Sequence, residues 1–197
     1  MIMLNFRLRF TSSQRRTFEL LAYMLILSAG CIAGTLFMLK EWDNPVCRFC
    51  LAYGIPNVSL KGAGLLISSL SWCMGVMLLS LFLGFCGTGQ PLLAFLLGFH
   101  GFITGCILTS LSQNASLHII PLYALGALYA VGVSYILLLG VREAMRFSCE
   151  YIHIFFYGAD CSEIRRRLRL YCVRFAVLTV LLFISSLIYT LLSGLIK

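Results

Sequence analysis

The sequence predicts an all-α, polytopic membrane protein: five transmembrane helices, with a cytoplasmic helical hairpin between the fourth and the fifth. Three observations carry that prediction. Residues 62–141 contain no Asp, Glu, Lys or Arg, and an uncharged run of that length is too long for one soluble core and reads as consecutive membrane spans. Charged residues make up 11% of the chain, against about 25% in soluble domains, and the mean hydropathy is +0.96. The net charge of +8 is placed at the flanks of the apolar runs. That placement fits the positive-inside rule and anionic lipid head groups, and not a nucleic-acid partner. The whole chain, 1–197, reads as a single integral membrane domain.

Residues 1–17 carry Arg7, Arg9, Arg15 and Arg16 and read as cytoplasmic positive charge before a first span. Gln14-Arg15-Arg16-Thr17-Phe18 has some likeness to a twin-arginine export signal, and Gly30-Cys31 to a lipoprotein cleavage site. Both are set aside. The apolar run is too long for a signal core, and Ser28 stands where a lipoprotein site wants an aliphatic residue. Span one covers about 18–39, with Gly30 and Gly34 as a GxxxG pair suited to close helix packing.

A polar connection, 40–64, follows with Trp42, Pro45 and Pro56. It also holds Cys47-Arg48-Phe49-Cys50, the tightest spacing among nine cysteines. A zinc site needs four ligands and no second pair follows. A redox pair usually opens a helix in a βαβ context, which is absent here. A local disulfide or two incidental thiols is the better reading, and no metal or cofactor is expected.

Span two covers about 65–85 and span three about 91–111. They meet at Gly84-Phe85-Cys86-Gly87-Thr88-Gly89-Gln90-Pro91. Glycine permits backbone angles that other residues avoid, and Pro91 suits a helix start because its missing N–H would be unpaired there anyway. Gly98, Gly101 and Gly105 recur at spacings of three and four, so one face of span three admits a neighbouring backbone. Gly84, Gly87, Gly89, Gln90, Pro91, Gly98, Gly101 and Gly105 together read as the packing motif of a tight hairpin at the centre of the bundle. His100 is the ionisable residue inside span three and hence a candidate functional group. No carboxylate lies between Lys61 and Arg142 to complete a proton relay, so a neutral His100 bonded to a backbone carbonyl or to Gln90 is expected.

Span four covers about 117–140, with Pro121 in its first turn. The segment 141–171 is the one long charged stretch. Arg142, Arg146 and Glu150 sit four apart on one helix face, expected to be solvated, while Phe147, Tyr151, Ile154 and Phe155 form an apolar face that must be covered. Gly158-Ala159 breaks this helix, and Asp160 with Glu163 resembles a capping box that starts another. The second arm carries Arg165, Arg166, Arg167 and Arg169, candidates for docking a partner or anionic lipid, and then runs into span five, about 172–196. With the N-terminus inside, the inner segments 1–17, 86–90 and 141–174 hold eleven Lys and Arg and the outer segments four. The expected topology is N-terminus cytoplasmic and C-terminus extracytoplasmic. No evident Ser/His/Asp set, paired carboxylates, P-loop or HExxH is present, so no enzyme is expected.

The segment Gly84–Pro91, the glycines Gly98, Gly101 and Gly105, the stretch Arg142-Glu143-Ala144-Met145-Arg146-Phe147-Ser148 and the stretch Tyr171-Cys172-Val173-Arg174-Phe175 resemble the stage II sporulation protein M family in its shorter clostridial-type form. The resemblance spans most of the chain from span one onward. Many family members carry a His-Gly motif and a downstream acidic residue before the fourth span. In Leu117-His118-Ile119-Ile120-Pro121-Leu122 only His118 corresponds, and the acidic residue is missing. The resemblance implies a non-enzymatic component of the engulfment machinery of endospore-forming bacteria, in the plasma membrane. Such a protein would hold two peptidoglycan hydrolases, stage II sporulation proteins D and P, at the septal membrane. A second class stays open: a permease-like or channel subunit in which the Gly87-Thr88-Gly89-Gln90-Pro91 turn and His100 line a polar path.

Overall fold

The computed structural model describes residues 12–40, 44–46, 63–113, 120–157 and 161–196. Five long helices account for nearly all of them: α1 Ser12–Lys40, α2 Ala63–Phe85, α3 Gln90–Gln113, α4 Ile120–Tyr157 and α5 Cys161–Ile196. The Cys47–Cys50 pair, His118, the Gly158-Ala159 break and Asp160 lie outside the described residues. By length and composition, four helices are able to cross a membrane, over Thr17–Lys40, Gln90–Ser110, Ala124–Ile152 and Arg165–Leu195. The apolar stretch of α2, Ser69–Phe85, is shorter. Helices of this kind and number suit a multi-pass membrane protein.

The helix ends follow local chemistry. Pro121 falls in the first turn of α4, where its missing N–H leaves no ladder bond unmade. The last helix starts at Cys161, next after Asp160, and continues without interruption into the apolar run. With 38 and 36 residues, α4 and α5 each outrun a hydrocarbon core of about 30 Å by several turns.

The core lies among α2 to α5. Cys73, Val76 and Met77 of α2 meet Leu93 and Leu97 of α3, Val133, Leu137 and Leu138 of α4, and Phe175, Leu178 and Leu182 of α5. Helix α4 touches all four others. By contrast, α1 lies at the edge of the bundle: Met38 is its one fully buried large apolar side chain among the described residues, Leu20, Tyr23, Ile26 and Leu27 pack partly on the core, and Phe18, Leu25, Ile32 and Leu36 are exposed.

Its attachment is to α3, and it runs through glycine. A Cβ on Gly30 would come within 3.0 Å of the Gly98 carbonyl oxygen, and one on Gly34 within 3.0 Å of the Phe102 carbonyl oxygen. In return, a Cβ on Gly101 or Gly105 would strike the carbonyl oxygens of Leu27 or Cys31. Each of these glycines faces a carbonyl of the other helix, the arrangement in which Cα–H···O contacts recur between helices. Lipid supplies no hydrophobic drive for association, so such backbone proximity carries the packing.

This corrects the expected hairpin. Helices α2 and α3 share a turn but few contacts beyond it, and α2 packs mainly on α4 and α5. The physical reason is complementarity. The matching glycines, Gly30 and Gly34, are on α1, whereas Gly75 of α2 faces open space.

Candidate functional site at the turn end of the bundle

The α2–α3 turn is closed by its own backbone. The Cys86 N–H donates to the Leu83 carbonyl at 3.1 Å, and Gly89 N–H to the Cys86 carbonyl at 2.9 Å. The Leu93 N–H then donates to the Gly89 carbonyl at 2.9 Å, which makes Gly89 the N-cap of α3 and puts Pro91 one residue deeper than expected, still in the first turn. A Cβ on Gly89 would fall within 3.0 Å of the Leu83 carbonyl oxygen. Glycine is therefore a steric requirement of the turn.

Helices α4 and α5 then hold the turn. Ser148 Oγ donates to the Cys86 carbonyl at 2.8 Å, with the Gly87 carbonyl at 3.4 Å. Tyr171 Oη donates to the Leu81 carbonyl at 2.9 Å. Gln90 Nε2 donates to Cys149 Sγ at 3.1 Å. A carbonyl oxygen has two lone pairs, so Ser148 and Tyr171 add a second bond to carbonyls of the turn and of the end of α2 and tie both to α4 and α5. Gly84 leaves room for the Tyr171 hydroxyl, and Gly87 for Ile152.

An aromatic cluster fills the space behind the turn. The Phe147 ring stacks on Tyr171 at 4.3 Å, Phe85 meets both edge-on at 5.6 and 5.5 Å, and Phe175 lies 4.8 Å from Tyr171. Phe147 thus covers the second arm, as its place on the apolar face of the first arm demands. Tyr151 remains substantially exposed, and the side chains of Ile154 and Phe155 are outside the described set.

Beside this cluster the charged residues of α4 and α5 pair across the arms. Glu143 accepts from Arg174, Glu150 accepts from Arg167 at 3.1 Å, and Arg146 lies 3.4 Å from Glu150 on its own helix. The charged face of the first arm is therefore turned toward α5 and stays solvated in part, with the Arg146 side chain half exposed. The reason is that Glu143 and Glu150 meet the arginines of the second arm at matching heights. Between the arms runs an open groove of roughly 340 Å³, lined by both glutamates, by Arg146, Arg166, Arg167 and Arg174, and by apolar Phe147 and Leu170. Arg165 and Arg169 are exposed and do not line it.

His100 sits elsewhere, buried in the span region between α3 and α4. Its Nε2 is 3.1 Å from Ser134 Oγ. The expectation of a backbone carbonyl or Gln90 as partner is corrected. Ten residues along α3 separate Gln90 from His100, roughly 15 Å, and Gln90 is engaged by Cys149. Thr104 Oγ1 donates to the His100 carbonyl at 2.9 Å and lies 3.4 Å from Ser134 Oγ. The Thr104 proton is used by the His100 carbonyl, and the tautomer of His100 sets which way the bond between Nε2 and Ser134 runs. The buried Nδ1 has no partner among the described residues. A similar knot ties α2, α4 and α5: Tyr129 Oη donates to the Ser69 carbonyl at 2.9 Å and meets Ser186 Oγ at 2.9 Å, with Tyr189 stacked on its ring at 4.6 Å. Among the described residues no group of three His, Cys, Asp or Glu side chains could hold a metal ion.

Three separate stretches of sequence therefore converge: the glycine turn, the Arg142–Ser148 stretch and the Tyr171–Phe175 stretch. Sequence reading quoted all three but gave no role to Ser148, Cys149 or Tyr171, and it did not single out Ser134 or Tyr129. The available signal was a hydroxyl inside an apolar run, which names a hydrogen-bonding group without naming its partner. Comparisons with protein-family models, with characterised proteins and with solved structures find no significant match.

Proposed function

We propose that this chain is a non-enzymatic membrane scaffold of the stage II sporulation protein M kind, with five spans, a cytoplasmic N-terminus and an extracytoplasmic C-terminus. In this reading it sits in the plasma membrane of a bacterium and holds peptidoglycan hydrolases at the septal membrane during engulfment. The observation that carries the reading is the convergence of the three resembling stretches on one turn. Residues far apart in the chain, Ser148, Tyr171 and Gln90, serve a single structural purpose there.

Positive charge supports the orientation. The N-terminal segment, the 86–90 turn and the α4–α5 arms hold eleven of the fifteen Lys and Arg, which assigns that end of the bundle to the cytoplasm. The paired arms then form a cytoplasmic hairpin that projects beyond the head groups, large enough to bind a folded partner. The outer segments and the spans are left to engage the hydrolases.

The test is affinity capture of the tagged chain from native membranes in mild detergent. Cell-wall hydrolases among the captured proteins support the scaffold. A nucleotide-binding subunit in their place would replace it with the permease-like reading, in which the Gly87–Pro91 turn and His100 line a path.

A further inference from the structure

We propose that the groove between the α4 and α5 arms is a binding site for the phosphate of an anionic phospholipid. The proposal needs the membrane setting of α5 but neither the scaffold role nor the hydrolases.

The first argument is depth. Residues 175–196 of α5 are uncharged, and at 1.5 Å per residue they measure roughly 33 Å, the thickness of the hydrocarbon core. Arg174 therefore marks the edge of the hydrocarbon. Glu143, its partner on α4, lies at the same height, one residue past Arg142, which ends the long uncharged run. Arg166 is two turns further out, roughly 12 Å. The groove thus begins in the head-group layer, which is about 5–8 Å deep on each side, and opens toward water.

The second argument is charge. Four arginines and two glutamates line the groove. Glu143 is taken by Arg174, and Glu150 is shared by Arg146 and Arg167. Arg166 makes no ion pair among the described residues, and Arg146 meets Glu150 through Nε at 3.4 Å, leaving its terminal nitrogens unassigned. The excess of two positive charges faces an opening, and guanidinium groups donate paired hydrogen bonds to phosphate oxygens.

The third argument is the apolar side. Leu170 lines the groove and is half exposed, and Val173 and Val177 continue that exposed face along α5. A molecule with its phosphate between Arg146 and Arg166 has an apolar track for its chains. A lipid satisfies both halves; a soluble phosphate satisfies only one.

The test uses the full chain reconstituted in nanodiscs of phosphatidylcholine, with or without an admixture of phosphatidylglycerol, and follows the thermal unfolding midpoint. A ligand that binds only the folded state raises that midpoint. The anionic lipid should raise it by several degrees for the wild type. Arg146→Gln with Arg166→Gln should abolish the increment. Arg165→Gln with Arg169→Gln removes the same charge outside the groove and should keep it. Equal loss in both double variants would overturn the proposal in favour of diffuse attraction to the surface, and an unchanged increment in both would overturn it outright. In a parallel arm, inorganic phosphate added to phosphatidylcholine discs should leave the midpoint unmoved. A rise matching that given by phosphatidylglycerol would make the site one for a soluble anion and refute the lipid assignment.

Discussion

Substituting Gly101 by alanine adds one methyl group at a close backbone contact between α1 and α3. That Cβ would lie within 3.0 Å of the Leu27 carbonyl oxygen and 3.2 Å from Cys31 N. Both are backbone atoms, so no rotamer change relieves the clash, and the helices must separate. Gly75 on α2 is the control, since a Cβ there meets nothing within 4 Å. Alanine in place of glycine inside a helix favours folding by about 0.5–1 kcal/mol. Both variants receive that gain, so it cancels between them, and the difference isolates the cost of overpacking, about 1–3 kcal/mol. The assay is reversible unfolding in mixed micelles, with the denaturing detergent fraction at the midpoint as readout. Gly75→Ala should equal or exceed the wild type, and Gly101→Ala should fall below Gly75→Ala by that margin. Equal midpoints for the two variants would refute backbone-to-backbone packing of α1 on α3.

Three further outcomes are expected. Ser148→Ala removes the 2.8 Å donor to the Cys86 carbonyl, which keeps its Gly89 N–H bond, and should lower stability by about 0.5–1.5 kcal/mol, the net worth of one hydrogen bond, as read from the same midpoint. Tyr171→Phe keeps the stack on Phe147 and loses only the bond to Leu81, so it should cost about 1 kcal/mol, whereas Tyr171→Ala should cost about 3–5 kcal/mol by emptying the aromatic cluster; equal losses would deny the stack its part. Exchanging the charges of Glu143 and Arg174 should restore most of what either single reversal loses, with a coupling below about 1 kcal/mol that shrinks in high salt, because the arginine is half exposed and such pairs are screened.

The helices were legible because membrane length and absence of charge are one-dimensional properties. The junctions at Phe85, Gln90 and Pro121 were legible because glycine and proline act within a turn of their own position. Gly98, Gly101 and Gly105 announced a close contact, and Gly30 and Gly34 announced another. Nothing in one dimension says that the two faces meet each other, since a glycine face fits any backbone of suitable shape. Neighbours in the chain therefore suggested α2 as the partner of α3, and spatial matching chose α1. The same limit explains His100. Its lack of a carboxylate partner could be read from the uncharged run, but the Ser134 hydroxyl is one of many in the spans, and only the crossing of α3 and α4 selects it. The charged arm was legible only in part for a related reason. Spacing of four places Arg146 and Glu150 on one face, and whether that face meets water or arginines depends on the register of α5.

The central claim is that the 86–90 turn and the paired arms share the cytoplasmic side of a five-span protein. Single-cysteine variants retaining Cys86, Cys149 or Cys47 test it most directly, each treated in intact spheroplasts with a membrane-impermeant thiol reagent after mild reduction. Cys86 and Cys149 are both exposed at the turn end. The account predicts that neither reacts until the membrane is permeabilised, while Cys47 reacts at once. Labelling of Cys149 or Cys86 in intact cells, with Cys47 protected, would invert the topology and contradict the account.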